Sequence, residues 1–127
     1  MTAAPSIPER EAIFKAFGRA FFKEDVDALY QVVTEDFVWS VVTNGKPRRI
    51  QGRDAVAAYF AERRGVYENV RFHDVVYHHA PEASFMTFRL TATVKATGAP
   101  VEEVGVERYT FRDGKLAVKD VYLKPAG

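Results

Sequence analysis

Glu107 is an ionisable side chain that could exchange a proton with a bound molecule. It lies in a run of residues that predicts a β-strand, and Lys119 and Asp120 lie in the run that predicts the last strand. Burial raises the pKa of a carboxyl group and a neighbouring ammonium lowers it, so an acid in an apolar cavity can serve general acid or base catalysis. Glu107 is therefore one candidate for such a role if its strand face lines a cavity, with Lys119 beside it.

The turn at residues 113–114 decides which residue of the last strand faces Glu107. A two-residue type I′ turn would place Glu107 opposite Asp120, whereas a three-residue turn with a bulge at the glycine would place it opposite Lys119. We favour the bulged turn because it puts Glu107, Tyr109 and Val121 on one face. The sequence leaves open whether Glu107 or Asp120 faces a pocket.

The three histidines share one predicted strand with Asp74. Strand alternation places His73 and His79 on one face, about 20 Å apart, and Asp74 and His78 on the other, about 13 Å apart. Neither pair can share an ion, and we expect no metal site. The chain also has no glycine loop for phosphates and no dinucleotide fingerprint, so we expect no cofactor.

Three helices are predicted, all in the first half of the chain. Ser6 begins a capping box, so a helix starts there and runs to about Lys23 with aromatic residues repeating every three or four positions. Asp25 can cap a second, short helix. A third helix is predicted over residues 55–64, with Gly65 as its stop signal.

One strand is predicted over residues 37–43, before the third helix. Four more follow one another in the second half, over residues 70–79, 84–97, 101–111 and 116–124, separated by turn residues. Consecutive strands favour an α+β fold over an alternating one. Residues 44–53, rich in lysine and arginine, are predicted as a basic loop. Long strands twist strongly, so we expect a curved antiparallel sheet wrapped around three N-terminal helices, forming a cone with an apolar pocket.

Four segments in this order resemble one family: residues 22–29, 34–39, 52–56 and 109–116. The chain resembles the nuclear transport factor 2-like superfamily and, within it, the SnoaL-like and ketosteroid isomerase-like branch that includes polyketide cyclases. The resemblance implies a cystatin-like cone formed by one domain over residues 1–127. It also implies a small hydrophobic ligand and a homodimer formed through the outer sheet face.

The resemblance allows the family's catalytic positions to be compared with this chain. Ketosteroid isomerases use a base on the first strand, a tyrosine on the first helix and an acid on the penultimate strand. The matching positions are Val41, Phe17 and Glu107, so only Glu107 keeps a suitable side chain. The resemblance therefore implies Glu107 as the catalytic residue of an enzyme and argues against steroid-type isomerisation. The arginine and two acids of similar epoxide hydrolases are not reproduced either, because segment 89–91 lacks the acid and Val121 occupies the second position.

The predicted pocket wall comes from the first helix, the third helix and the inner face of the sheet. Trp39 can equally be a core ring, and Phe60 is favoured over its neighbour Tyr59. Arg63 could reach the mouth of the cavity, but a solvated helix face shared with Arg64 is the favoured interpretation. The predicted ligand-binding residues are Phe17, Phe21, Trp39, Val41, Phe60, Leu90, Tyr109, Lys119 and Val121.

The composition limits the partners and the cellular location that we expect. The chain has 127 residues, 18 basic and 17 acidic side chains, a net charge of +1 and no cysteine. The near-neutral charge gives no reason to expect nucleic acid or acidic lipid as a partner. Since we find neither a membrane-spanning run nor a secretion signal, we expect a cytoplasmic protein.

Two functions remain open at this point. One is a protein that binds a small hydrophobic molecule, as an isomerase, cyclase or hydrolase using Glu107. The other is a non-catalytic ligand-binding or interaction domain that works as a dimer. The threonine-rich face of the middle strand, which holds Thr87, Thr91 and Thr93, is the predicted dimer surface.

Overall fold

A computed structural model describes residues 4–127, which form three helices and one curved sheet. The helices are α1 (Ile7–Lys23), α2 (Val26–Leu29) and α3 (Arg53–Val66). The strands are β1 (Val33–Thr43), β2 (Lys46–Gln51), β3 (Tyr67–His79), β4 (Ala83–Val94), β5 (Pro100–Arg112) and β6 (Lys115–Pro125). They form one sheet in the order β2-β1-β6-β5-β4-β3, antiparallel except for the parallel β1–β6 pair. The α+β cone prediction is confirmed.

Helix α1 begins and packs as the sequence predicts. The Ser6 side chain accepts from the Glu9 backbone N–H while the Glu9 carboxylate accepts from the Ser6 N–H, which completes the capping box. Phe14, Phe17 and Ala20 form the buried stripe of the helix. Helix α1 therefore supplies the aromatic wall that the curved sheet encloses.

Helix α3 continues past the stop predicted at Gly65. It ends at Val66, and the Tyr67 N–H donates to the Arg63 carbonyl as the chain enters β3. A glycine inside a helix costs only about 1 kcal/mol relative to alanine, so packing can carry a helix through it. Val56 and Phe60 supply that packing, since both are fully buried.

The segment predicted as a basic loop is strand β2. A turn at Asn44 and Gly45, both with positive φ, joins it directly to β1. Lysine, arginine and proline are rare in strands, which explains why the composition misled the prediction. They are tolerated here because β2 is an edge strand. Only Ile50 of this strand is buried.

A bulge at Asp74 in β3 changes the faces predicted for the histidines. Asp74 has a φ of 54°, and the pairing with β4 shifts between His73 and Val76. His73 and His78 consequently share the outer face, whereas His79 bonds to the inner-face Ser84, 2.7 Å away. The prediction that His73 and His79 share a face is wrong, because the extra residue inverts the alternation.

The β5–β6 hairpin follows neither of the two predicted registers. Asp113 and Gly114, with φ of 53° and 74°, form a two-residue turn, as type I′ geometry requires. Ala117 is then left unpaired where the register shifts, so Glu107 pairs with Val121. A bulge inside the strand produces the one-residue offset, whereas the prediction placed a bulge in the turn.

No helix within residues 4–127 is long and apolar enough to cross a membrane. The largest cluster of buried side chains lies between α1, α3 and the inner face of the sheet. It includes Phe37, Trp39, Phe60 and Tyr109. Burial of rings of this size is the main stabilising contribution available to a domain without disulfides.

Candidate active site

Glu107 lies on the inner face of β5, with 3% of its surface exposed. Its Oε1 accepts a hydrogen bond from Lys119 Nζ, 2.8 Å away, and another from the Tyr109 hydroxyl. Lys119 Nζ also lies 3.5 Å from the Tyr109 oxygen. A carboxylate, an ammonium and a phenol are therefore in mutual contact inside the cone.

The bulge in β6 brings these three residues together. Because Ala117 is skipped, Tyr109 pairs directly with Lys119, and Glu107 sits two residues along on the same face. Diagonal neighbours of this kind are within reach of long side chains. The Lys119 amine consequently meets the Glu107 carboxylate diagonally across the hairpin.

Aromatic rings surround the Lys119 ammonium. Their centroids lie 4.1 to 5.7 Å from Nζ and belong to Phe21, Phe17, Trp39 and Tyr109. Burial lowers the pKa of Lys119, the charge and hydrogen bond of Glu107 oppose that change, and the nearby Arg63 lowers it further. The amine is therefore closer to its neutral form than an ordinary lysine.

Tyr109 remains a hydrogen-bond donor at neutral pH. Burial raises its pKa well above the ordinary value, and the adjacent charge of Glu107 raises it further. The ring packs against Phe14 and Phe17, which fixes its direction. The phenol can thus hold Glu107 in place without losing its own proton.

A cavity of about 270 Å³ opens beside the three polar groups. Arg63 and Glu103 bring two further charges to its wall, so the wall is less apolar than predicted. Burial raises the pKa of Glu103. The lining residues are Phe21, Trp39, Val41, Val42, Tyr59, Arg63, Phe72, Phe88, Leu90, Glu103, Glu107, Lys119, Val121 and Leu123.

Most predicted pocket residues line this cavity, but three lie behind its wall. Phe17 and Tyr109 pack against each other, and Phe60 packs beneath Phe21 and Trp39. Tyr59, not Phe60, reaches the cavity because α3 turns that side of the helix toward Trp39. The predicted members that do line it are Phe21, Trp39, Val41, Leu90, Glu107, Lys119 and Val121.

Arg63 lies at the cavity wall, the less favoured of the two positions that the sequence left open for it. Its guanidinium lies 5.4 Å from the Phe21 ring and 5.5 Å from the Trp39 ring, at the cavity wall. Within the described residues, no carboxylate forms an ion pair with it. Its spacing from Tyr59 and Phe60, one turn along the helix, was the available signal.

Across residues 4–127, no group of three or more potential metal-ligating side chains comes together. His73 and His78 instead bond to threonines of β4, and His79 bonds to Ser84. The histidines therefore bond to neighbouring strand residues, His73 and His78 on the outer face of the sheet and His79 on the inner face.

The family of the chain follows from its sequence. The family model of the SnoaL-like domain matches residues 14–119, so the chain belongs to the SnoaL-like family. No curated protein sequence matches the chain significantly.

Solved structures share the nuclear transport factor 2-like fold. An NTF2-like protein from Burkholderia xenovorans has 24% identity and a TM-score of 0.79, covering 94% of this chain and 92% of its own. A proposed polyketide cyclase from Xanthomonas campestris has 18% identity and a TM-score of 0.74, with coverages of 91% and 90%. A proposed isomerase from Bacillus subtilis has 18% identity and a TM-score of 0.73, with coverages of 92% and 89%. At these identities the likeness establishes the fold.

Proposed function

We propose that this SnoaL-like protein binds a small, largely apolar molecule in its cone and uses Glu107 as a general acid or base upon it. The reaction would be an isomerisation, a cyclisation or a hydrolysis. The observation that carries the proposal is the buried Glu107 carboxylate at the cavity wall, held by two donors. A buried acid fixed in this way is suited to moving a proton to or from a bound molecule.

The direction of the two hydrogen bonds supports a catalytic role over a purely structural one. Both Lys119 and Tyr109 donate to Oε1, and Oε2 accepts no hydrogen bond from residues 4–127. Oε2 is thus available to a ligand in the cavity. The ammonium beside it can stabilise negative charge that develops on an oxygen of that ligand.

Two proteins of similar structure, a proposed polyketide cyclase and a proposed isomerase, are consistent with a proton-transfer reaction. One fold can host many activities, so the site must carry the argument for this chain. Steroid-type isomerisation is disfavoured because Val41 and Phe17 occupy the positions of the base and the tyrosine.

A two-stage experiment tests the proposal. Steroids, terpenoids and polyketide-like aromatic compounds are first screened for a rise in melting temperature, since a ligand that binds only the folded state stabilises it. Compounds that bind are then incubated in D₂O, and exchange of their carbon-bound hydrogens is followed by NMR. The wild type should exchange hydrogens, and Glu107→Gln should bind equally well but lose the exchange.

Asp120→Asn is the matched control, because Asp120 is an acid of β6 that accepts from Tyr122 outside the cavity. It should exchange like the wild type. Equal exchange by Glu107→Gln and the wild type would remove Glu107 from the mechanism. A library without any binder would remove the small-molecule function itself.

A second candidate is a non-catalytic binding or interaction domain that works as a homodimer through the outer sheet face. One row of cross-strand neighbours favours it, namely Val76, Thr87, Val106 and Tyr122. Val76 is 49% exposed and Tyr122 is 57% exposed. Exposed apolar side chains in one row are typical of a surface that another chain covers.

Analytical ultracentrifugation tests the dimer. The wild type should sediment as a dimer and Val106→Glu as a monomer, since a charge in the centre of the row would be desolvated on association. Lys115→Glu, at the tip of the hairpin, should leave the dimer intact. A monomeric wild type would refute the dimer. A stable dimer without any small-molecule binder would favour this second candidate.

A further inference from the structure

Lys119 differs from every other lysine of the chain in its surroundings. It is 3% exposed, it lies at the cavity wall, and Glu107 is its only acidic partner within the described residues. The remaining lysines are all exposed: Lys15, Lys23, Lys46, Lys95, Lys115 and Lys124. A buried lysine amine next to a binding cavity is the usual setting for a nucleophilic lysine.

We propose that Lys119 forms an imine with a small aldehyde or ketone bound in the cavity. The inference rests on the proposed small-molecule function, and it names the chemical class of ligand and the atom to which it becomes attached. The amine stands 2.8 Å from a carboxylate that can take its proton and return it. No other lysine within residues 4–127 has a buried acid in contact with its amine.

The proton needed for the reaction moves within the Lys119–Glu107 pair. Transfer of one proton from the ammonium to the carboxylate gives a neutral amine and a neutral acid. Burial penalises the charged form of Lys119, which makes its neutral amine more accessible. The lowered pKa of Lys119 agrees with a readily available neutral amine.

The imine then forms in two steps, addition of the amine to the carbonyl and loss of water. The lone pair of the Lys119 nitrogen attacks the carbonyl carbon, the C–N bond forms, and the carbonyl π electrons move to oxygen. One amine proton passes to that oxygen and gives a carbinolamine. Glu107 then protonates the hydroxyl group, which leaves as water while the nitrogen lone pair closes the C=N bond. The products are a protonated imine, a carboxylate and one water molecule.

The site suits the protonated imine because this product and the Glu107 carboxylate carry the same two charges as the original ion pair. The protonated imine carries one positive charge beside the Glu107 carboxylate, as the ammonium did. The rings of Phe21 and Trp39 lie near the same nitrogen and can stabilise the cation. The cavity of about 270 Å³ limits the ligand to a compact carbonyl compound.

Reductive trapping tests the inference on the intact protein. Cyclohexanone and cinnamaldehyde are each added with sodium cyanoborohydride, which reduces an imine to a stable secondary amine. Peptide mass spectrometry then measures the modified fraction of every lysine. We expect modification of Lys119 to exceed that of each exposed lysine by at least about tenfold, because the neutral amine is the nucleophile.

Three variants separate the chemistry from simple binding. Lys119→Arg should abolish the dominant modification, since arginine keeps the charge but forms no such imine. Glu107→Gln should slow trapping on the order of 10²-fold through loss of the proton carrier. Lys115→Arg, an exposed lysine of the same strand, should leave trapping at Lys119 unchanged. Modification spread evenly over exposed lysines, or none at Lys119, would overturn the inference.

Cinnamyl alcohol distinguishes this inference from the proposed function. It has the shape of cinnamaldehyde but no carbonyl group, and its binding is followed by the rise in melting temperature. If the alcohol binds while neither carbonyl compound is trapped on Lys119, the covalent step is wrong and the binding function stands. If none of the three compounds binds or reacts, the covalent inference is wrong. The broader library then decides the proposed function.

Discussion

Replacing Lys119 by methionine should strongly destabilise the fold. Methionine matches the length of the lysine stem and packs well among aromatic rings, so it leaves little empty volume. What it removes is the ammonium 2.8 Å from the Glu107 carboxylate. The substitution therefore isolates the electrostatic role of Lys119 from its packing.

The expected magnitude follows from the burial of both partners. Each is 3% exposed, so the remaining carboxylate would be left in an apolar site without its counter-charge. Removing one partner of a buried ion pair typically costs about 3–5 kcal/mol. Tyr109 still donates to Glu107 in the variant, so we expect the free energy of unfolding to fall by about 3 kcal/mol.

The double variant Lys119→Met with Glu107→Gln should recover much of this loss. Its neutral amide still accepts from Tyr109, and no uncompensated charge remains. We expect a net cost of about 1 kcal/mol, so the coupling energy between the two positions should exceed the cost of the single Glu107→Gln variant by about 2 kcal/mol. Urea unfolding at pH 7 measures each value as a shift of the midpoint at constant slope.

Lys115→Met is the matched control, because Lys115 is an exposed lysine of the same strand. It should change the free energy of unfolding by less than about 0.5 kcal/mol. Two results would refute the reasoning. One is a Lys119→Met protein within about 1 kcal/mol of the wild type, and the other is a double variant whose cost is the sum of the two single costs.

Three further predictions concern other parts of the fold. Arg10→Met should cost about 3 kcal/mol in urea unfolding, because the buried guanidinium binds four backbone carbonyls and a serine hydroxyl; an unchanged midpoint would contradict this. Gly105→Ala should cost about 1–3 kcal/mol, since the new Cβ would lie 2.5 Å from Phe88 and 2.6 Å from Leu123. It should also weaken the binding of any cavity ligand. A variant with unchanged stability and unchanged ligand binding would contradict this prediction. Tyr109→Phe should reduce the loss of stability above about pH 10. The raised pKa of Tyr109 stabilises the folded state below the ordinary value of 10.0, and that contribution is lost as the pH rises through the folded-state pKa. Parallel pH profiles of stability for the two proteins would contradict this.

Local signals account for most of the predicted architecture. The capping box at Ser6, the aromatic spacing in α1 and the turn residues between the long strands each act over a few residues, so the sequence reveals them directly. Strand β2 was missed because its residues are charged, and the continuation of α3 past Gly65 was missed because packing outweighed a weak stop signal. In both cases a tertiary contact overrode local propensity.

By itself, the sequence determined the helices, four long strands, the curved sheet and the choice of Glu107 as the most promising acid. Only the tertiary structure decided which residues meet. Two irregularities, at Asp74 and Ala117, each insert one residue and so reverse every side chain beyond them. Their positions depend on how neighbouring strands pair across the whole sheet, which no local pattern encodes. The sequence places Lys119 beside Glu107 through a register that the hairpin does not have, and the bulge at Ala117 produces the contact as a diagonal one instead.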